Sequence, residues 1–284
     1  MRTGPAILAA KFMWRLRYDL VAVVVVAVVM TTLSERISVE RFVPVVSLLG
    51  VVVSIFIGFR LRNSYTTWQD AQKLWEAVGV NSRAFMNALT IVDNRTPQMA
   101  AISDQMLRRQ VRHVWELAAE LRGTPSIPEV RSLTPEDPSD ATSAELLTYQ
   151  AADSRNLTRA GLIDSKARNI LTNLNTAESM NVSGLENIRD EPFPIQYTLF
   201  VRSLVWAFGI LVCVATHSAG FTGITGMMLS AGIIAIFVIA ERLAEFFSQP
   251  LDNTFFGLPM ARFCVRITAD LLGANHRLAR ITAT

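Results

Sequence analysis

Hydrophobic positions in this chain fall into two kinds of run. Uninterrupted apolar stretches occupy residues 20–33, with the string VAVVVVAVVM, residues 42–59 and residues 203–240. A helix needs about 20 apolar residues to cross a hydrocarbon core. The first run falls short of that, and predicts that Tyr18 and the aliphatic stem of Arg17 extend it by snorkelling. In the second, Pro44 is predicted in the first turn, where a missing N–H is harmless. The third holds no Asp, Glu, Lys or Arg, with His217 its one histidine, and is long enough for two spans. Gly220, Gly223 and Gly226, with Thr222 and Thr225, mark the turn between them. Four membrane spans are expected.

The other runs are periodic. Trp68, Leu74, Trp75, Val78 and Phe85 recur at mostly helical intervals over residues 64–91. Met99, Ile102, Met106, Val111, Val114, Leu117 and Leu121 do so over residues 98–121. The stretch LGVVVSIFIGFRLRNSYTTW (residues 49–68) joins the two kinds. It is uncharged up to Phe59, then brings in Arg60 and Arg62 with no Pro or Gly turn behind them. The second span is therefore expected to run on into a water-exposed helical domain, with Trp68 and Trp75 as core anchors. DNRTP predicts a turn, and GTPSIPEVRSLTPEDPSD, with four prolines, a surface excursion. A further helical stretch is expected over residues 143–180, interrupted near Gly161.

Composition agrees with a mixed architecture: 51% of the 284 residues are hydrophobic and 18% are charged. The formal net charge of +3 matters less than its placement. Basic residues flank the N-terminal side of the first span, with Arg60, Arg62 and Lys73 after the second. Arg189 and Arg202 precede the third and Arg242 follows the fourth, whereas Arg36 and Arg41 in the 34–41 loop are balanced by Glu35 and Glu40. The positive-inside rule then puts both termini and the long middle segment in the cytoplasm, with the N-terminal run retained rather than cleaved. The expected division is residues 1–62 with two spans, a helical cytoplasmic domain at 63–196, two more spans at 197–247, and a cytoplasmic C-terminal segment at 248–284.

Catalytic signatures are missing from the text. It contains no phosphate-binding glycine loop, nucleophile elbow or metal-spaced His/Cys set, so no enzyme, cofactor or metal site is expected. Cys213 and Cys264 form no motif; Cys213 reads as a core or lipid-facing residue. His113 reads as a surface or packed residue, and His217 as a capping or interface residue able to titrate. Arg108, Arg109 and Arg112 read as a solvated helix face, without the aromatic interleaving that nucleic acid would call for. Glu241 and Glu245 read as interfacial carboxylates paired with nearby arginines, the sharper alternative being a proton relay.

Val51, Ile55 and Phe59 stand four residues apart on the second span, with Ser47 continuing the row, and so share one stripe. Spacing alone leaves contact with lipid or a neighbouring helix open. The stretches GFRLRNSYTTWQDAQKLW (residues 58–75), GLENIRDEPFPIQYT (residues 184–198) and ERLAEFFSQPL (residues 241–251) together resemble the bestrophin family, particularly its short bacterial members. The first is similar to the family's Gly-Phe-Arg-x-Asn-x-x-Tyr-x-x-Trp pattern, with the Asn one place later. The second resembles its Pro-x-Pro opening of the third span, and the third its exit from the fourth.

That resemblance implies an all-α integral membrane protein in which four transmembrane helices continue into a helical cytoplasmic domain. It also implies a homopentamer around a central pore in a bacterial plasma membrane. Carried over by position, the pore neck falls on Val51, Ile55 and Phe59, and the cytoplasmic aperture on Ile188. Rings of apolar residues at these levels would gate by dewetting. Animal members clasp calcium with an acidic run after the fourth span; here QPLDNTFFGLP offers only Asp252, too few ligands for that ion. Glu186 and Asp190, with Glu191, flank Ile188 against a single Arg189, and five copies would favour monovalent cations. The same carboxylates could instead turn into subunit contacts or pair with Arg189. The alternatives are an anion channel of the same fold, a membrane-anchored scaffold or sensor, and a proton-coupled carrier using His217, Glu241 or Glu245. A carrier would call for broken or repeated helices, and none is visible in the sequence.

Overall fold

The computed structural model describes residues 5–34, 43–92, 96–191, 194–253 and 257–281, and all regular structure among them is helical. In chain order the helices are α1 (Pro5–Ser34), α2 (Val43–Val92), α3 (Pro97–Arg122), α4 (Pro128–Arg131), α5 (Ser143–Arg159), α6 (Ser165–Asp190), α7 (Ile195–Ser218), α8 (Gly223–Phe247) and α9 (Met260–Leu272). A single 3-10 turn follows at Arg277–Arg280. Two compact units result. One comprises Met1–Thr67 and Pro192–Ser248; the other comprises Trp68–Glu191 and Gln249–Thr284. Helix α2 is unbroken across the division at Thr67, as its lack of any internal Pro or Gly turn predicts. The 34–41 loop, most of DNRTP and the Pro192–Phe193 pair fall largely outside the described residues.

Among the described residues, four helices are long and apolar enough to cross a membrane: α1, α2, α7 and α8. In the first unit α1, α7 and α8 pack on one another in pairs. Val23, Val53, Ile57, Val205, Phe208, Ile234 and Val238 make its core. Val24, Val25, Ile210, Met228 and Ile236 remain exposed, which suits a surface facing hydrocarbon rather than water. Cys213 belongs to the core. The guanidinium of Arg17 stacks over the rings of Trp14 and Tyr18, an arrangement suited to the membrane interface where the apolar run gives out. The turn between α7 and α8 lies where the glycines predict it. A Cβ at Gly226 would stand 2.2 Å from the carbonyl oxygen of Phe221, so no other residue fits there.

The second unit is organised around α3, which packs against α4, α5, α6 and α9. Thr96 caps it, accepting from the N–H of Met99, and Pro97 opens the first turn. Helix α5 opens with a capping box between Thr142 and Glu145. Gly161, at φ 69°, separates α5 from α6 at the predicted interruption. Trp75 is fully buried and Trp68 packs against the same core, as their spacing predicts.

Two expectations fail in this unit. Arg109 and Arg112 are not a solvated face; both are buried within a stretch of α3 that is covered on every side. Arg109 makes a bidentate pair with Asp137 at 2.7 Å and a further contact with Asp153. Arg112 donates to Thr134 Oγ1 at 2.8 Å and to the carbonyl of Pro138 at 2.6 Å. The proline-rich segment is not purely superficial either. Val130, Leu133 and Thr134 are buried, and the segment supplies the acceptors that these arginines need. Local polarity could not reveal this, because the partners lie 22 to 44 positions away.

Candidate pore-lining site

At about 100° per residue, α2 turns Val51, Ile55 and Phe59 to one side, and Val53, Ile57 and Arg60 to another. The first three are 57%, 51% and 58% exposed, whereas the second three are 0%, 6% and 2% exposed. The stripe is thus a free apolar face and not part of the core of the unit. Ser47 and Ser54 lie on exposed positions nearby, but their hydroxyls donate to the carbonyls of Val43 and Gly50 in their own helix. That leaves the row with little polar character.

Directly after Phe59, the chain inverts. Arg60 is buried and donates to Glu241 Oε1 at 2.6 Å. The same oxygen accepts from Arg202 Nε at 3.3 Å, and Arg242 Nε stands 3.8 Å from Oε2. Arg202 also reaches Glu245 at 2.8 Å, while Arg242 bridges Glu245 at 2.5 Å and Asp19 at 2.6 Å. Three arginines and three carboxylates from α1, α2, α7 and α8 therefore balance one another at this level. The expected pairing of Glu241 and Glu245 with arginines is present. Arg60 as the innermost partner was not foreseeable from the sequence, since it lies 181 positions from Glu241. A buried ion pair of this kind is weak evidence for net stability, but it fixes geometry because neither charge tolerates losing the other.

In the second unit, Ile188 is half-buried near the end of α6 and packs against the core there. Glu186 is half-buried and Asp190 is exposed. Arg189 and Asp190 form a two-point pair at 2.6 and 2.9 Å. This contact holds the Asp190 carboxyl below its usual range and raises the Arg189 guanidinium. Of the residues expected near the aperture, one carboxylate is thus already matched by a cation.

The remaining candidates are packed or isolated. His113 is buried, with Nδ1 2.9 Å from the carbonyl of Ser143 and Nε2 3.4 Å from Glu178. His217 is half-buried near the end of α7, and Asp252 is exposed. Among the described residues no three His, Cys, Asp or Glu side chains converge as metal ligands would.

An apolar helix face above a buried charge network, in a unit of bilayer-length helices, defines a polytopic helical membrane protein whose notable surface is a stripe rather than a catalytic cleft. The chain belongs to the bestrophin family: the model of the family described as Bacterial/Fungal Bestrophin protein matches residues 6–273. It is similar to the voltage-dependent anion channel-forming protein YneE of Escherichia coli O157:H7, at 24% identity over 81% of this chain and 75% of that protein. It is also similar to the voltage-dependent anion channel-forming protein mll4386 of Mesorhizobium japonicum, at 25% identity over 76% of this chain and 70% of the relative. The fold matches the crystal structure of a bestrophin homologue from Klebsiella pneumoniae with a TM-score of 0.81 at 23% identity, covering 90% of this chain and 97% of that one. A mutant of the Klebsiella protein matches with a TM-score of 0.82 at 23% identity, over 91% and 98% of the two chains. The protein is membrane-embedded and has the bestrophin fold.

Proposed function

We propose that this chain is one of five identical subunits surrounding a single ion-conducting pore in a bacterial plasma membrane, with both termini cytoplasmic. In this reading Val51, Ile55 and Phe59 from each subunit line a neck, and Ile188 from each forms a second, cytoplasmic constriction. The observation that carries it is the exposed apolar row on α2, which the core of its own unit leaves uncovered. Five copies of such a row make a water-poor passage that conducts when it wets and closes when it dries. The buried Arg60 beneath Phe59 supports the same reading, because it holds the helix face in place where the row ends.

The permeant ions are monovalent, with cations favoured by the carboxylates of Glu186, Asp190 and Glu191 around Ile188. The second reading is anion passage. It is favoured by the pairing of Asp190 with Arg189, which weakens the acidic ring, and by the anion-channel names of the bacterial relatives. With Asp252 as the sole carboxylate in residues 249–259, calcium is not the activating ligand.

The test is the reversal potential of the purified protein in a planar bilayer under a sodium chloride gradient, with Ile55→Ala and Ile188→Ala alongside. Reversal toward the sodium potential, with conductance raised by either substitution, is the expected result. Reversal toward chloride keeps the channel and transfers the assignment to anions. Folded, oligomeric protein that stays silent in all three forms overturns the channel reading in favour of a membrane-anchored scaffold.

A further inference from the structure

Helix α1 starts at Pro5, well before the uncharged run that opens at Leu20. The turns in between have two unlike faces. Phe12 meets Phe246 of α8 edge-on, with ring centroids 5.6 Å apart, and Leu16 is fully buried, so these positions seat the helix on the rest of the first unit. Trp14, Tyr18, Val21, Val25 and Val28 follow one another at intervals of four and three residues, share a face, and are all exposed. The two aromatic residues therefore stand at the end of a stripe whose valines suit contact with hydrocarbon. At 1.5 Å per residue, Tyr18, Arg17 and Trp14 lie about 3, 4.5 and 9 Å beyond Leu20. A headgroup layer is roughly 5–7 Å deep on each side of the hydrocarbon, so this stretch traverses it.

Arg17 differs from the other arginines at this level. Its guanidinium carbon lies 3.9 Å from the centre of the Trp14 ring and 4.6 Å from that of Tyr18, and Nη2 donates to the Tyr18 hydroxyl at 2.8 Å. The rings occupy its planar surface, which leaves the remaining N–H edge to an outside acceptor. No carboxylate stands within 4 Å of it among the described residues. Asp19, two positions away, is committed to Arg242 at 2.6 Å. Glu241 and Glu245, the other described carboxylates of this unit, are taken up by Arg60, Arg202 and Arg242. Residues 1–18 meanwhile bring Arg2, Lys11, Arg15 and Arg17 and no Asp or Glu. A cation with an aromatic seat, no internal counter-ion and a place at headgroup depth is complementary to a phosphate, which a guanidinium meets through two parallel hydrogen bonds. Stacking has already ordered the side chain, so less entropy is lost when those bonds form.

We propose that Trp14, Arg17 and Tyr18 form a binding site for an acidic phospholipid, its phosphate on the N–H edge of Arg17 and an acyl chain along Val21 and Val25. A zwitterionic headgroup carries its own cation and gains less from a basic stretch that has no acid of its own. The inference rests on the first unit being embedded in a bilayer, and not on whether, or what, the protein conducts.

The test is quenching of Trp14 fluorescence in the full-length protein, reconstituted in bilayers of phosphatidylcholine and phosphatidylglycerol with one lipid or the other brominated. The Trp14 signal is the difference between the protein and its Trp14→Phe form, since Trp68, Trp75, Trp115 and Trp206 are common to both. Phosphatidylglycerol should be preferred by about fivefold, the factor that corresponds to about 1 kcal/mol for one basic residue near a charged lipid surface. Arg17→Gln, measured with and without Trp14→Phe, should bring the two lipids close to parity, whereas Arg17→Lys should keep part of the preference. Equal quenching by the two lipids in the unaltered protein, or a preference that survives Arg17→Gln undiminished, would overturn the assignment. So would loss of the preference in excess inorganic phosphate, which would make the free anion the ligand. Quenching by neither lipid would also overturn it, and would mean that a second copy of the chain covers this face.

Discussion

Replacing Glu241 with Gln removes the charge that three arginines share, yet it strands only one of them. Arg202 keeps Glu245 at 2.8 Å, and Arg242 keeps both Glu245 and Asp19. Arg60, which is 2% exposed, has Glu241 as its single ion-pair partner among the described residues. Breaking a buried pair by removing one member costs about 3–5 kcal/mol, because the survivor stays desolvated without its counter-ion. Glu245 is 35% exposed on its side chain and both of its arginines retain another carboxylate, so Glu245→Gln should cost about 1 kcal/mol or less. The double replacement Arg60→Met with Glu241→Met removes both charges and keeps the volume, and should recover most of the loss. Reversible unfolding in mixed detergent micelles, followed by circular dichroism, measures all three variants. Glu241→Gln no worse than Glu245→Gln would refute the reasoning. So would a double variant no more stable than Glu241→Gln, since that would mean the loss does not come from an Arg60 charge left buried without its partner.

Glu116 is buried on α3, and that burial raises its carboxyl above the ordinary value of 4.5 against the pull of Ser126, Arg112 and Arg131. A carboxyl raised in the folded state destabilises that state at neutral pH and ceases to do so once pH falls below its unfolded value. Glu116→Gln should therefore increase urea resistance at pH 7.5, with the gain vanishing below about pH 4.5; a gain that is larger in acid would contradict this. Gly226→Ala would drive a methyl into the Phe221 carbonyl, and should cost about 1–3 kcal/mol or more and cut the yield of folded protein, as judged by size-exclusion profile. Thr142→Ala removes the reciprocal capping box of α5 and should cost about 1 kcal/mol in urea melts; an unchanged midpoint would show the cap to be replaceable by water.

The sequence alone determined the features that depend on neighbours in the chain. Residues 20–33, 42–59 and 203–240 specify four apolar helices because hydropathy is a sum over a window, and lipid demands only length and lack of charge. The α7–α8 turn and the break at Gly161 were legible because glycine adopts backbone that other residues resist. The Val51, Ile55 and Phe59 row was legible because a four-residue spacing nearly closes a helical turn. Which way that row faces was not, since periodicity describes a stripe and not what covers it. Tertiary structure decided that the core takes Val53, Ile57 and Arg60 instead. It also decided that Arg60 meets Glu241 and that Arg109 and Arg112 are internal. Each of these turns on which groups meet after folding. A charge is costly or harmless inside a protein according to its partner, and for these arginines the partners come from distant segments that only the folded chain brings within 4 Å.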